Sequence, residues 1–327
     1  MMESMTVDNQ TEMVLEVRDL RILRTSDGAS ILKDVNLRVA RGQRLGIVGE
    51  SGSGKTTLIN AIIGQLPDGL RTGHGEIAFL NQRWRADAES AATKLMGRGI
   101  SVIPQNPIIC LNPLFRLDAQ FHQVLSQHFN SSKAESEEIA TQLLKEMAMP
   151  EPRRVLRRYP HELSGGMAQR VMIALATACD PALLIADEPT TGLDVTVESQ
   201  VLRALRAKIE EDHRTFIVIS HDLEVIARLT EFTYVMYAGQ IVEQGPTKDI
   251  LSSPSHPYTQ GLVDCLKSTR GLIKFIPGNL PDIGVERSGC LFRERCSRVV
   301  NDCHTRNPEL VALSATRSVA CYNKVGK

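Results

Sequence analysis

Apolar and polar positions alternate from Val14 to Val39, first in VLEVRDLRIL and then in ILKDVNLRV, with a break at Asp27-Gly28. A period of two puts alternate side chains on one face, so this stretch predicts two antiparallel strands joined by a turn. Arg44–Val48 has the length of a buried strand, a glycine-rich loop follows it, and Thr56–Ile63 then reads as an apolar helix. Residues 106–178 read as mostly helical, with a polar, acidic insert near Ser131–Glu138. Beyond them strand and helix alternate: strand Leu183–Ala186, helix Glu198–Glu210, strand Thr215–Ile219, helix Leu223–Arg228, strand Phe232–Tyr237. That alternation predicts an α/β domain whose mainly parallel sheet is covered by helices. From about Lys267 onward Pro, Gly and Cys replace the rhythm and mark a separate piece. The expected organisation is a disordered start over 1–13, a main domain over 14–266 and a Cys-rich C-terminal domain over 267–327.

Composition narrows the function. The 327 residues suffice for one large domain with an appendage. Lys+Arg and Asp+Glu both number 38, so the basic excess expected of a nucleic-acid binder is missing. No stretch approaches the roughly 18 apolar residues that a membrane span needs. The N-terminus lacks the basic start and apolar core of a signal peptide, so the chain is expected to stay in the cytoplasm.

Gly49-Glu50-Ser51-Gly52-Ser53-Gly54-Lys55-Thr56 fits G-x-x-x-x-G-K-[ST] and lies between a predicted strand and a predicted helix. Its glycines let successive N–H groups and the helix start, including Thr57, wrap around the phosphates of ATP. Lys55 adds a mobile positive charge, and the Thr56 hydroxyl is placed to ligate Mg2+. After the apolar run Ala182–Ala186 come Asp187 and Glu188, at the strand end where ligands collect in open α/β sheets. Asp187 suits Mg2+, and Glu188 suits polarisation of an attacking water.

Leu163-Ser164-Gly165-Gly166-Met167-Ala168-Gln169-Arg170 resembles the signature sequence of ABC ATPases, and it stands between the phosphate loop and Asp187 as in that family. Ser164 is also a good N-cap, with two glycines opening an apolar helix over about Met167–Ala178. The resemblance covers residues 14–265. It implies an ABC-type P-loop fold with a mixed sheet core, an antiparallel β subdomain, a helical signature subdomain at about 106–178 and the small Cys-rich extension. It also implies a head-to-tail dimer in which Ser164, Gly165 and Gly166 touch the γ-phosphate of ATP held by the partner ATPase. Gln105 resembles the loop glutamine that senses Mg2+ and the transmembrane partner, Asp194 lies in what looks like the loop crossing the dimer interface, and His221 resembles the switch histidine. Glu188, His221, Gln105 and Lys55 are thus the expected catalytic set. Two positions depart from the family. No Phe, Tyr or Trp precedes Phe79, so adenine is expected to stack near Leu23–Thr25, on the Arg24 guanidinium; and Met167 replaces the more common glutamine.

Gln105-x-Pro107 with Leu111-Asn112-Pro113, His256-Pro257-Tyr258-Thr259 and the C-terminal cysteines resemble the oligopeptide/dipeptide/nickel importer subfamily. This implies import of peptides or related small solutes at the cytoplasmic face of the inner membrane. The implied partners are a second, different ATPase chain, two transmembrane permease subunits and, indirectly, a solute-binding protein. Cys290, Cys296, Cys303 and Cys321 are spaced C-x5-C-x6-C-x17-C without the tight pair usual for zinc. A [4Fe–4S] cluster, known in some members of the subfamily, is expected there, with Zn2+ or unmetallated thiols as alternatives. Two other functions stay open: a soluble ABC ATPase outside transport, and a regulatory subunit that binds ATP without hydrolysing it. The single cassette without a coiled-coil insertion argues against the first, and the presence of Glu188 and His221 against the second.

Overall fold

The computed structural model describes residues 12–87, 94–211, 213–267, 275–282 and 288–326. The expected disordered start falls, as far as residue 11, outside the described residues. Strands β1 (Met13–Arg24) and β2 (Ser30–Ala40) pair antiparallel, and Gly28 takes φ +73° in the turn between them. Two strands that the pattern did not announce, β4 (Leu70–Phe79) and β5 (Gln82–Arg85), complete an antiparallel sheet in the order β2-β1-β4-β5.

The second sheet has eight strands in the order β11-β12-β10-β9-β3-β8-β7-β6. Five run parallel: β6 (Ile100–Ile103), β7 (Leu183–Asp187), β8 (Thr215–Ser220), β3 (Arg44–Val48) and β9 (Phe232–Tyr237). Strand β10 (Gln240–Pro246) turns back against β9, and the two-residue strands β11 (Val311–Ala312) and β12 (Ser318–Val319) extend that edge. Alternation along β7 feeds two cores. Leu183 and Ile185 face the core shared by the two sheets and helix α1 (Lys55–Ile62), while Leu184 and Ala186 face the core under the helical region.

That region holds α2 (Pro107–Cys110), α3 (Leu117–Phe129), α4 (Lys133–Glu146), α5 (Pro152–Leu156) and α6 (Gly165–Thr177). The expected polar insert near Ser131–Glu138 is instead the first turn of α4. Ser132 accepts from the Glu135 N–H while the Glu135 carboxylate accepts from the Ser132 N–H, a reciprocal capping box. Helices α7 (Val195–Glu211) and α8 (Leu223–Leu229) match the expected pair with longer bounds, followed by α9 (Thr247–Ser252), α10 (Pro257–Leu266) and α11 (Asp302–Thr305).

The described part of the Cys-rich segment is joined to the main sheet rather than standing apart. Strand β12 pairs with β10 at Glu243 and Gln244, and Phe292 enters the core against Tyr237 and Tyr258. The fully buried Glu243 carboxylate accepts from the N–H groups of Ser255 and His256 at 2.8 Å each and from Arg317 at 3.3 Å. So short a segment has too few apolar side chains to close a core of its own, and it uses its neighbour's. Among the described residues no helix is long and apolar enough to cross a membrane.

Candidate functional site

Four loops leave the carboxyl ends of adjacent parallel strands, and each carries an expected site residue. The phosphate loop follows β3, His221 follows β8, Glu188 follows β7 and Gln105 lies two residues beyond β6. Neighbouring strands lie about 4.8 Å apart, which brings residues distant in sequence to one crevice. A cavity of about 260 Å3 opens there, lined by Ser51, Gly52, Gly54, Lys55, Thr56 and Thr57 with Gln105, Glu188 and Ile31.

The loop's glycines are dictated locally. A Cβ on Gly49 would stand 2.2 Å from the Met236 carbonyl oxygen, and Gly54 takes φ +101° as it opens α1 without any side-chain cap. Lys55, only 6% exposed, donates to the carbonyls of Gly49 (2.8 Å) and Glu50 (3.0 Å) and lies 4.0 Å from Glu188. Burial holds its ammonium below the ordinary lysine range, partly offset by the charges of Glu188, Asp187 and Glu50.

Asp187 is 7% exposed, and burial pushes its carboxyl above the usual range, against the Thr56 hydroxyl that donates to Oδ2 at 3.0 Å. Its other oxygen, Oδ1, is buried without a hydrogen-bond partner among the described residues, as is the hydroxyl of Ser53. A buried carboxylate oxygen left unpaired beside a threonine hydroxyl suits a divalent cation, and uncommitted N–H groups with a lysine suit the phosphates it accompanies. Glu188 sits at φ +50° with its carboxylate fixed from three sides. The ring Nδ1 of His221 lies 2.6 Å from Oε2, the Thr191 hydroxyl donates to Oε2 at 3.1 Å, and the His221 N–H donates to Oε1 at 3.2 Å. Such a carboxylate can orient and deprotonate a water at the mouth of the cavity.

The signature residues are not brought into this cavity. Ser164 caps α6, accepting from the Met167 N–H at 3.4 Å, and Ser164 and Gly165 are exposed. Asp194 accepts from the Val197 N–H at 3.0 Å and so caps α7. A Cβ on Gly166 would stand 2.2 Å from a Val197 methyl carbon, so this glycine answers to close packing of α6 on α7. Arg24, expected under adenine, is bound instead to both carboxylate oxygens of Asp27 (2.9 and 2.6 Å) and does not line the cavity, whereas Ile31 does.

The four cysteines converge. Burial first, and then the neighbouring thiols, push up the thiols of Cys290, Cys296 and Cys321, the last to about 11. The Cys290 N–H also donates to the Cys303 carbonyl at 2.8 Å. The expected metal finds no support in this arrangement: among the described residues no group of three or more His, Cys, Asp or Glu could hold a metal ion. Sequence reading missed exposed apolar side chains shortly after Gln105 in the chain: Ile109 and Leu114 are 78% and 79% exposed, and Ile108 and Phe115 are exposed as well. Their only signal was apolar residues falling between the expected strand and helices.

Comparison with known proteins extends these observations. A family model described as "ABC transporter" matches residues 32–191, and one described as "Oligopeptide/dipeptide transporter, C-terminal region" matches residues 242–303. The chain is 41% identical over 317 residues to the oligopeptide transport ATP-binding protein OppD of Salmonella typhimurium, covering 95% of this chain and 94% of that one. It is likewise 41% identical over 292 residues to the probable D,D-dipeptide transport ATP-binding protein DdpD of Escherichia coli, covering 88% and 89%. Among solved structures, the dimeric bacterial ABC transporter cassette MJ0796 superposes with a TM-score of 0.63 at 27% identity, covering 71% of this chain and 98% of that one. CbiO1 from Clostridium perfringens, part of the ABC transporter complex cbiONQ, gives 0.62 at 26% identity, covering 74% and 92%.

Proposed function

This chain belongs to the ABC transporter family of ATP-binding subunits, and from that premise we propose that it hydrolyses ATP to power an importer of peptides or related small solutes. The observation that carries the reading is the convergence of Lys55, Asp187, Glu188 and His221 at the carboxyl ends of three adjacent strands. Relatives named for oligopeptide and dipeptide transport supply the direction and the class of solute.

In this reading Thr56, Asp187 and Gln105 would hold Mg2+, which would neutralise charge on the phosphates of ATP. Lys55 turns from its own loop carbonyls toward the phosphates. Glu188 draws a proton from the attacking water, with His221 fixing the orientation of its carboxylate. Ser164, Gly165 and Gly166 serve the nucleotide of a second ATPase chain across a head-to-tail dimer, with Asp194 at that interface. The dimeric cassette that superposes on this chain supports the arrangement. The exposed Ile108, Ile109, Leu114 and Phe115, close to Gln105 in sequence, support docking to a transmembrane permease subunit and so a position at the inner face of the membrane.

Glu188→Gln tests the core of this proposal. Turnover of the assembled transporter falls roughly a hundred- to ten-thousandfold while ATP binding is kept; undiminished hydrolysis removes Glu188 from its role. For the cysteines the reading is a [4Fe–4S] cluster, motivated by the nearness of four thiols, Cys303 buried and Cys290, Cys296 and Cys321 half-buried. Anaerobically purified protein then contains iron and sulfide in equal amounts, and colourless protein with one zinc overturns the assignment.

A further inference from the structure

Arg295 lies in the C-terminal segment, next to Cys296, yet it reaches the phosphate loop, 245 residues away in sequence. All five of its N–H donors are engaged. Nε donates to the Pro277 carbonyl (2.8 Å), Nη1 to Glu50 Oε2 (2.7 Å) and the Tyr237 hydroxyl (3.4 Å), and Nη2 to Glu50 Oε1 (2.9 Å) and the Ile276 carbonyl (3.2 Å). The side chain is 4% exposed, and its guanidinium lies over the rings of Tyr237 and Phe292. The two parallel bonds to Glu50 need a planar fork, which lysine does not have.

Glu50 is held at every polar group. Arg295 grips its carboxylate, the Tyr258 hydroxyl accepts from its N–H at 2.8 Å, and its carbonyl accepts from Lys55 Nζ at 3.0 Å. A shift of Glu50 therefore moves the carbonyl on which the Lys55 ammonium rests. The same segment reaches the loop a second time at Leu280, whose δ1 carbon is 3.6 Å from where a Cβ on Gly52 would sit. The other polar clasp of the C-terminal segment, Arg317 with Glu243, fastens β12 to β10 and touches no residue of the phosphate loop.

Resting on the reading of this chain as an ATPase, we propose that Arg295 is a positioning residue for the phosphate loop, setting ATP affinity from the C-terminal segment through Glu50. Titration of the full-length chain with Mg·ATP, together with turnover of the assembled transporter, tests it. Arg295→Gln weakens ATP binding about tenfold or more, as misplaced binding groups do, and raises KM while kcat at saturating ATP holds. Arg295→Lys loses less. Glu50→Gln gives a similar loss, and the double variant is no worse than either single one, since both break the same contact. Arg317→Gln lowers Tm but leaves ATP affinity unchanged.

Wild-type affinity in Arg295→Gln overturns the proposal, and so does an affinity loss in Arg317→Gln that tracks its Tm. Should Arg295→Gln fail to fold, Glu50→Gln decides, because it leaves the segment's other bonds in place. Wild-type protein that binds no Mg·ATP overturns the ATPase reading itself, whereas binding that Arg295→Gln and Glu50→Gln both leave untouched overturns only the role of Arg295.

Discussion

Helices α1 and α6 both begin at glycines, and the two beginnings are built on opposite terms. At α1 the first turn is closed in by β9 on one side and by Glu188 on the other, with Gly54 at φ +101° and no side chain capping the N–H groups. At α6 the start is exposed and already capped by Ser164, and neither Gly165 nor Gly166 has a positive φ. The first pair of glycines lets the backbone turn and approach β9. The second lets one helix lie close on another, at Val197. In the proposed function the first start receives an anion beside Lys55 of its own chain. The other is finished as structure and, in the proposed dimer, serves a nucleotide held elsewhere.

The sharpest way to break this comparison is to disable each start separately. Lys55→Met removes a buried cation from the first, and ATP affinity of the full-length chain falls by about 1.5–3 kcal/mol, roughly ten- to hundredfold in Kd. Gly166→Ala drives a methyl group into Val197 at a cost of about 1–3 kcal/mol. Titration of the single chain then shows unchanged ATP affinity, while turnover of the assembled transporter drops about tenfold. A weakened single-chain affinity in Gly166→Ala would mean that the two starts are not separate in role.

A last test, read in stability and not in affinity or turnover, concerns what stands behind the first start. His256 is buried and pushed down to about 3 by that burial, and its Nδ1 accepts from the Tyr258 N–H at the head of α10. The folded chain therefore keeps this ring neutral where the unfolded chain, near 6.5, takes up a proton. Stability from this group is whole above pH 6.5 and is lost as pH falls from there toward 3, by up to about 1.4 kcal/mol per unit. His256→Asn keeps an acceptor for Tyr258 and flattens the fall in Tm between pH 6.5 and 4. An unchanged acid slope would assign the loss to other groups.

The placement of the phosphate loop, Asp187, Glu188 and His221 was legible because each falls at or just after the end of a short apolar strand, so motif and pattern pointed to the same place. Where the two parted, reading failed. Strand β4 carries Gly73 and Gly75 and buries only Ile77 and Phe79, so no clean alternation announced it, and β6 is only four residues long. Ser132 and Glu135 looked like a polar insert because a capping box is polar by construction. Arg24 looked available to stack because its partner Asp27, three residues on, counted only as part of a turn. The joining of the C-terminal segment could not be read at all. It rests on a two-residue strand pairing, on Phe292 against Tyr237 and Tyr258, and on single long-range polar pairs, Glu50 with Arg295 and Glu243 with Arg317, which leave no periodic trace.

Glu188 occupies the left-handed backbone region at φ +50°, a conformation that costs a side-chain-bearing residue about 1–2 kcal/mol. The strand thus ends where its acid begins, and the carboxylate is aimed by a bend in the main chain as much as by its neighbours. Glycine at this position would relax the bend and, in the proposed mechanism, remove the acid in the same step. In the proposed mechanism the chain thus holds a strained backbone in order to place this carboxylate, against the contacts it makes with Thr191 and His221.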